Sequence, residues 1–480
     1  MVGEQPVDRN EAMNDETRWT GSRAWYVTVL LSLCYLVSLL DRFIIGLIFD
    51  PLEREFGLGD TQLGMLHGTG FVLLYTIAAL PMGRLADTRS RRNLIAAGIL
   101  LWSLATSLCA FASSFATLFA ARVLVGLGEA CLVPAGMSLL AAIFPAHRLG
   151  RAISIFSMGA LLGAPIAFAG GGQLLVLLAR HDGLNIPLLG HLEPWRALFL
   201  LTGLPGLPLA LLFFSTVREP VRLSTPSVGV RDALVSMRPR AAVFGPFLGA
   251  ICCTALVGYS VPAWCVPLLV RQHDMSVAQA GAVTGAALMI ASIAGTLLGG
   301  WLTDYLTARF RNGPVLVLGA CFLALPVPAA LLCLSQHAWP AVLGLGLVQA
   351  VVAIGTPPAF AGFQMLSQER HRGFVTSISV ATYTLIGFGC GPALVGLMSD
   401  RMYTGTRQLG WSMLTLFVLA AVLGLLLKDY IDIMLGSPMI VGWALLLGGI
   451  AILAIEKIAK PGPASGVAEL PVRQALGVGL

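Results

Sequence analysis

Long apolar segments recur along almost the whole of this 480-residue chain, and they constrain its fold more than any other feature. Twelve of them come close to the roughly 20 residues that an α-helix needs to cross a bilayer. They lie at residues 24–49, 61–82, 93–112, 115–141, 152–178, 195–217, 243–270, 277–299, 314–334, 338–363, 374–398 and 411–428. Only 11% of the residues are charged, against about 25% in a soluble domain. The sequence therefore predicts an all-α integral membrane protein.

The arginines of the connecting loops predict the orientation, because cytoplasmic loops carry an excess of Lys and Arg. If the N-terminus is inside, fifteen loop arginines lie inside and six lie outside. The inner set is Arg84, Arg89, Arg91, Arg92, Arg148, Arg151, Arg218, Arg222, Arg231, Arg238, Arg240, Arg309, Arg311, Arg370 and Arg372. We therefore predict a bacterial inner-membrane protein with a cytoplasmic N-terminus, in which residues 1–23 form a disordered tail.

Identical residues recur at a constant offset in the two halves of the chain, which indicates an internal repeat. The matching pairs are Gln62 and Gln279, Gly64 and Gly281, Gly68 and Gly285, Gly83 and Gly300, Leu85 and Leu302, Asp87 and Asp304, and Arg92 and Arg309. We predict an N-terminal six-helix bundle (24–217), a cytoplasmic linker (218–242), a C-terminal six-helix bundle (243–428) and a hydrophobic segment with a tail (429–480). This organisation resembles the major facilitator fold, in which two pseudo-symmetric six-helix bundles surround a central cavity.

The loop after the second segment reads GRLADTRSRR, from Gly83 to Arg92, and resembles the signature loop of major facilitator transporters. A weaker copy, GWLTDYLTARFR, follows the eighth segment. An ordinary basic cytoplasmic loop explains the arginines, but not an acidic residue at the same place in both copies. A carboxylate among arginines at a helix end can link neighbouring helices and release them when the halves rock apart. The sequence therefore predicts a conformational latch made of Gly83, Asp87, Arg91, Arg92, Asp304 and Arg309.

Four ionisable residues lie well inside the apolar segments: Asp41, Arg42, Arg122 and Glu129. An ionisable side chain at that depth costs at least about 2.5–3.5 kcal/mol, which makes it a candidate functional residue. At a rise of about 1.5 Å per residue, Asp41 and Arg122 come to a similar level, and Glu129 lies two turns deeper on the same face as Arg122. We expect Arg122 near Asp41, and both carboxylates to serve proton coupling. A buried salt bridge that only fixes helix packing is the alternative.

Four stretches together resemble the Spinster-like branch of the major facilitator superfamily: LLDRF, GRLAD, RVLVGLGEACLVPA and GLPGLPLALLFFSTVREPVR. This resemblance covers nearly the whole chain. It implies proton coupling by Asp41 and Glu129, and a role for Arg42 and Arg122 in gating or in binding an anionic group of the substrate. Eukaryotic members of the branch carry lysophospholipids or sphingosine phosphate. The same charged pattern is also similar to that of proton-coupled organic-anion symporters of the hexuronate type.

The apolar segments of the C-terminal half contain no Asp, Glu, Lys or Arg apart from Lys428, the last residue of the last segment. Their candidates for contact with a substrate are Tyr259, Gln349 and Tyr383, although each is more typical of a hydrogen bond between helices. A cavity that is charged on one wall and apolar on the other suits an amphipathic molecule. The sequence therefore favours lipid-like cargo over a small organic anion such as a hexuronate. His67 is interpreted as a packed polar residue rather than a proton relay.

Motifs of catalysis and nucleotide binding are absent from the sequence, which has no G-x-S-x-G, H-E-x-x-H or Walker loop. We therefore expect a secondary transporter rather than an enzyme, working by alternating access without a cofactor or metal. Its ligands are then protons and a small amphipathic substrate. It is expected to be a monomer in the lipid bilayer with no nucleic-acid partner. A membrane receptor or scaffold on a transporter fold is the alternative of another class.

The apolar stretch 439–455, MIVGWALLLGGIAILAI, raises the question of a further crossing. It is long enough to enter the membrane, but a crossing would carry Lys457 and Lys460 to the outside, against the positive-inside rule. We predict that it is not a thirteenth full crossing and that the C-terminus is cytoplasmic.

Overall fold

The computed structural model describes residues 21–187, 190–218, 241–310, 312–366 and 372–436. The regular elements of these residues are helices, apart from one antiparallel hairpin of Leu184–Ile186 with Gly190–Leu192. The α-helices are Gly21–Phe43, Phe49–Phe56, Asp60–His67, Thr69–Thr88, Arg91–Cys109, Phe115–Glu129, Leu132–Ile143, Ala146–Arg180, Pro194–Gly203, Gly206–Thr216, Ala241–His273, Val277–Thr307, Gly313–Ala324, Pro326–Leu334, Ala338–Ile354, Thr356–Leu366, Arg372–Arg401 and Gln408–Gly436. A 3-10 turn, Ile44–Leu47, continues the first helix.

Twelve helical segments of the described chain are long and apolar enough to cross a membrane. This confirms the predicted all-α membrane fold. We number these segments as spans 1 to 12 in chain order. Their bounds are Gly21–Leu47, Asp60–Ala79, Arg91–Cys109, Phe115–Ile143, His147–Arg180, Pro194–Thr216, Ala242–His273, Val277–Thr307, Gly313–Leu334, Ala338–Leu366, Val375–Arg401 and Gln408–Leu427. The predicted tail 1–23, the linker 218–242 and the segment 429–480 lie largely outside the described residues, so the predicted domain boundaries stay predictions.

The repeated glutamines occupy equivalent positions in the two halves. Gln62 lies in the first turn of span 2 and Gln279 in the first turn of span 8. Each side-chain Oε1 accepts a hydrogen bond from the backbone N–H three residues earlier, at 3.2 and 3.1 Å respectively. A helix start leaves backbone N–H groups without helical partners, and this contact satisfies one of them.

Two of the repeated glycine pairs, Gly64 with Gly281 and Gly68 with Gly285, lie where the two halves meet. A Cβ atom on Gly64 would lie only 2.3 Å from the carbonyl oxygen of Pro392 in span 11. A Cβ atom on Gly281 would lie 2.4 Å from the carbonyl oxygen of Phe168 in span 5. Span 2 therefore touches span 11 backbone to backbone, as span 8 touches span 5, and only glycine permits such close approach of membrane helices.

An arginine of span 7 joins the two halves at one end of the molecule. The Arg271 guanidinium donates to Asp50 at 2.9 Å, to Asp60 at 2.8 Å and to Glu53 at 2.9 Å, all in the first half. Partial burial raises the pKa of the Glu53 carboxyl above its usual value; Arg271 opposes this, and the nearby Asp60 and Asp50 add to it. The three carboxylates therefore share one cation.

A carboxylate of span 11 joins the halves at the same end. Asp400 accepts hydrogen bonds from the backbone N–H groups of Asp60 and Thr61 at 3.0 and 2.8 Å, and from the Thr61 hydroxyl at 2.6 Å. The Ser399 hydroxyl donates to the Asp60 carboxylate at 2.6 Å. We call the end of the molecule that carries these contacts and those of Arg271 the sealed end.

Candidate functional site

The candidate site begins where the helix of span 1 ends. Carbonyl groups in the last turn of a helix have no helical partner, and Arg122 of span 4 supplies donors to two of them. Its guanidinium donates to the backbone oxygens of Asp41 at 2.9 Å and Arg42 at 3.1 Å. Arg122 is fully buried. The predicted proximity of Arg122 and Asp41 is therefore present, but Arg122 binds the backbone of span 1.

Glu129 forms an ion pair with Arg42, which follows Asp41 in the chain. Its Oε2 atom accepts a hydrogen bond from the Arg42 guanidinium at 2.6 Å and another from the Ser38 hydroxyl at 2.6 Å. Glu129 is the last residue of the helix Phe115–Glu129, at a break in span 4, and is 1% exposed. Its Oε1 atom has no hydrogen-bond partner among the described residues. A buried ion pair thus links spans 1 and 4, with one carboxylate oxygen left over.

Asp41 lies apart from this ion pair and is completely buried. Its Oδ2 atom accepts a long hydrogen bond of 3.3 Å from the Thr106 hydroxyl of span 3. Its Oδ1 atom has no partner among the described residues. Asp41 and Glu129 therefore both carry an oxygen that is free to take up a proton.

Aromatic rings form a wall beside Arg42. The centre of its guanidinium lies 4.2 Å from the ring centroid of Phe71, 5.2 Å from that of Tyr75 and 5.9 Å from that of Phe388. Such contacts stabilise a cation through the ring quadrupole, and they are strongest where water is excluded. Phe388 belongs to span 11, so the site reaches across to the second half.

A cavity of about 250 Å³ opens in the second half, between spans 7, 10 and 11. Its polar lining residues are Thr254, Tyr259, Thr356 and Tyr383, and the rest of its lining is apolar. Two of the three predicted contact residues of this half therefore face one cavity. Gln349 is not part of that lining, and its side chain donates to the Ser292 hydroxyl at 3.0 Å.

Four tyrosines connect this cavity with the ion pair: Tyr35, Tyr75, Tyr259 and Tyr383. They lie close enough to one another for electrostatic interaction, although two belong to each half. Tyr35 and Tyr75 also lie within such reach of Arg42 and Glu129. The arrangement places charged groups on the wall of the first half and hydroxyl and apolar groups on that of the second.

Three residues of the predicted latch contact residues outside it. Arg91 donates to the Ser138 hydroxyl at 2.9 Å, and the Arg92 guanidinium lies over the ring of Phe214 at 4.7 Å. In the second half, the Arg309 guanidinium lies over the ring of Tyr305 at 3.8 Å, while Asp304 is exposed. Gly83 is half-buried with open space beside it, and the Asp87 side chain lies outside the described part of the chain. The latch stays a prediction.

Several residues of the site have no functional role assigned from the sequence, and His67 and Phe388 are among them. His67 ends the first helix of span 2 and is completely buried. Phe388 contacts the aromatic wall from span 11. The one sequence signal for Phe388 is its glycine-rich surrounding, from Gly387 to Gly391, because glycines on both sides of a large ring permit close approach of a neighbouring helix.

Comparison with known proteins decides the family. Residues 31–311, more than half of the chain, match the Major Facilitator Superfamily. The chain belongs to the Major Facilitator Superfamily. A bacterial homolog of the human lysosomal transporter Spinster, in an inward-facing and unoccupied conformation, has the same fold with a TM-score of 0.75 and 26% identity. That match covers 86% of this chain and 98% of the Spinster homolog.

Curated transporters match over most of the chain. An MFS-type efflux pump of Mycolicibacterium smegmatis is 26% identical over 408 residues, which are 84% of this chain and 91% of the relative. Spinster proteins and probable galactarate/D-glucarate transporters are also relatives, at 24% to 30% identity. The chain is therefore a superfamily transporter that is related both to Spinster proteins and to sugar-acid transporters, as the sequence predicted.

The C-terminal part has a different relative. Residues 393–480 match the bacitracin resistance protein BacA. In a separate comparison, 69 residues of the chain are 61% identical to an undecaprenyl-diphosphatase of Novosphingobium aromaticivorans. These residues are 14% of this chain and span about a quarter of that enzyme, 26% of its length.

Proposed function

We propose that this transporter couples the movement of an amphipathic, lipid-like molecule of the lysophospholipid or sphingolipid type to the movement of protons. The observation that carries the proposal is the contrast between the two walls of the site. The first half supplies the buried pair of Arg42 with Glu129 and the nearby Asp41, while the second half supplies a cavity without charged lining residues.

Proton coupling is supported by the state of the two carboxylates. Asp41 and Glu129 are buried, and each has one oxygen without a partner among the described residues. Hydration and nearby charge govern the protonation of a buried carboxyl group. Rocking of the two halves changes both of these, so the carboxyl groups can exchange protons with one side at a time.

Amphipathic cargo is supported by the size and the lining of the cavity. Its volume of about 250 Å³ is below the roughly 300–1,000 Å³ of a complete ligand pocket, so it suits a part of a molecule, such as a tail. An anionic headgroup would then meet Arg42 and compete with Glu129 for it. This competition would free the Glu129 carboxylate to take up a proton, and it thereby couples the two ligands.

The proposed orientation places the N-terminus in the cytoplasm of a bacterial inner membrane. Span 2 then begins on the outer side, so the sealed end faces outwards and the site communicates with the cytoplasm. This arrangement is consistent with the inward-facing conformation of the solved Spinster homolog.

Uptake into proteoliposomes under an imposed pH gradient tests the function. We expect gradient-driven flux of a lysophospholipid and its loss in Asp41→Asn, which removes the titratable group but keeps an oxygen that accepts from Thr106. The matched control is Glu55→Gln, because Glu55 pairs with Arg196 within one half at the sealed end. Undiminished gradient-driven flux in Asp41→Asn would contradict the role of Asp41.

The same assay separates the second candidate function. Sugar-acid transporters are among the relatives, and Arg42 can also bind the carboxylate of a small organic anion. Flux of galactarate without flux of a lysophospholipid would establish the small-anion symporter. A protein that moves neither class of molecule and stays folded would be the receptor or scaffold.

A further inference from the structure

The ring of Phe388 is inserted from span 11 into the first half of the protein. Its centroid lies 5.3 Å from the ring of His67, 5.5 Å from that of Phe71 and 6.2 Å from that of Phe43. Phe388 is 1% exposed. A side chain of the second half is thus buried in the aromatic interior of the first half.

The same ring also lies close to the candidate site. Its centroid lies 5.1 Å from the ring of Tyr259, which lines the cavity, and 5.9 Å from the guanidinium of Arg42. Phe388 therefore contacts His67 and also lies next to the ion pair and the cavity. A ring in this position can serve as a barrier between the site and the sealed end.

The backbone of Phe388 is held tightly against span 2. A Cβ atom on Gly68 would lie 2.0 Å from the Phe388 carbonyl oxygen. The Thr69 hydroxyl donates to the neighbouring carbonyl of Gly389 at 2.6 Å. The backbone that carries the ring is therefore held in place as long as spans 2 and 11 stay in contact.

His67 lies in aromatic surroundings next to this ring. It is completely buried between Phe388, Phe43 at 5.9 Å and Phe49 at 6.3 Å, as measured between ring centroids. Neither ring nitrogen has a hydrogen-bond partner among the described residues. A buried water needs two to four polar partners, and the rings of Phe388, Phe43 and Phe49 supply none.

If water reached His67, protons would have a shorter path between the sealed end and the Arg42 region. The helix that ends at His67 begins at Asp60, which belongs to the sealed end. Seven residues of α-helix span about 10 Å, so three or four waters would connect the imidazole with the Asp60 carboxylate. The ring of Phe388 lies close both to His67, at 5.3 Å, and to the guanidinium of Arg42, at 5.9 Å.

We propose that Phe388 is a hydrophobic plug, which keeps water and protons from passing between the Arg42–Glu129 pair and the sealed end by way of His67. This inference deepens the proposed proton coupling, on which it rests, because a leak along this way would dissipate the gradient without moving cargo. The role of the Phe388 ring is to exclude water from this path.

Proton entry into proteoliposomes without any cargo tests the plug. An imposed pH gradient, an internal pH-sensitive dye and a potassium ionophore measure the leak directly. We expect Phe388→Ala to leak protons at least tenfold faster than the unmodified protein, and Phe388→Leu, which refills the space with an apolar side chain, to leak little. Adding His67→Phe to Phe388→Ala should reduce the leak again, because it removes the imidazole from the hydrated path.

The matched control is Phe322→Ala, which removes a ring that is 2% exposed in span 9, away from the site. Equal leaks in Phe388→Ala and Phe322→Ala would overturn the proposal, as would a leak in Phe388→Leu as fast as that in Phe388→Ala. If Phe388→Ala does not give a single folded species, Phe388→Val carries the same expectation and the same test. Because no cargo is present, a failure of the proposed lipid transport would leave these results interpretable.

Discussion

At the scale of single residues, the ion pair of Arg42 with Glu129 has two unequal partners. A carboxyl group that loses its partner can become neutral by taking up a proton, whereas a guanidinium stays charged in a protein. Removing one partner of a buried pair costs about 3–5 kcal/mol. We therefore expect Glu129→Gln to lower the free energy of unfolding by about that amount, and more than Arg42→Gln does. Unfolding in a denaturing detergent measures both values.

The double variant Arg42→Gln/Glu129→Gln provides the control for this prediction. It leaves no buried charge without a partner, so it should be more stable than Glu129→Gln alone while remaining inactive in transport. Additive losses from the two substitutions would mean that the residues do not interact as the 2.6 Å contact indicates.

Arg122 has a structural role that the nearby Asp41 does not have. Its two hydrogen bonds hold carbonyl groups at the end of the span 1 helix, and a hydrogen bond to a charged group contributes about 1.5–3 kcal/mol. We expect Arg122→Ala to lower the free energy of unfolding by about 3 kcal/mol or more, and Asp41→Asn by less than about 1 kcal/mol. Equal losses in a detergent unfolding titration would show that Arg122 does not support span 1.

The sequence identified the four charged residues of the site because ionisable groups inside an apolar segment are costly. It also predicted the level of Arg122 beside Asp41. It could not predict the partners, because Asp41 and Arg42 are adjacent and differ only in direction around the helix. Phe388 was missed for another reason: it lies more than three hundred residues from Phe43 in sequence, and rings are common in membrane helices. Contacts between distant helices are set by tertiary packing, which no local pattern records.

At the scale of helices, spans 2 and 7 hold the sealed end together through Arg271. We expect Arg271→Gln to increase the fraction of molecules in which this end is open, because three carboxylates of the first half then lose their shared cation. Spin labels at Arg54 and Thr404, which are exposed in the two halves at this end, report the opening as a longer distance. The matched control is Arg196→Gln, since Arg196 pairs with Glu55 inside one half. Distance distributions that are the same in both variants would exclude Arg271 as a gate.

Helix positions could be predicted from the sequence more completely than helix contacts. Apolar length fixed the twelve spans, and the offset repeat of Gln62 and Gly64 with Gln279 and Gly281 predicted two related halves. The repeat did not reveal why its glycines recur. The structure supplies the reason, because these glycines lie where span 2 meets span 11 and where span 8 meets span 5.

At the scale of the whole molecule, the path of the C-terminal tail determines on which side of the membrane the C-terminus lies. An even number of spans returns the chain to the side on which it began, and span 12 ends at Leu427. The stretch 439–455, with Lys457 and Lys460 behind it, lies outside the described residues. Residues 393–480, which include this stretch, match the bacitracin resistance protein BacA. The symmetry of the twelve spans does not determine on which side of the membrane the C-terminus lies, so the prediction of its side rests on the lysines.

We expect a reporter that is active only in the cytoplasm to be active when fused after Lys460 and silent when fused after Gly405, in the loop between spans 11 and 12. Silence after Lys460 would mean that residues 439–455 cross the membrane, and that the positive-inside rule fails at this end of the chain.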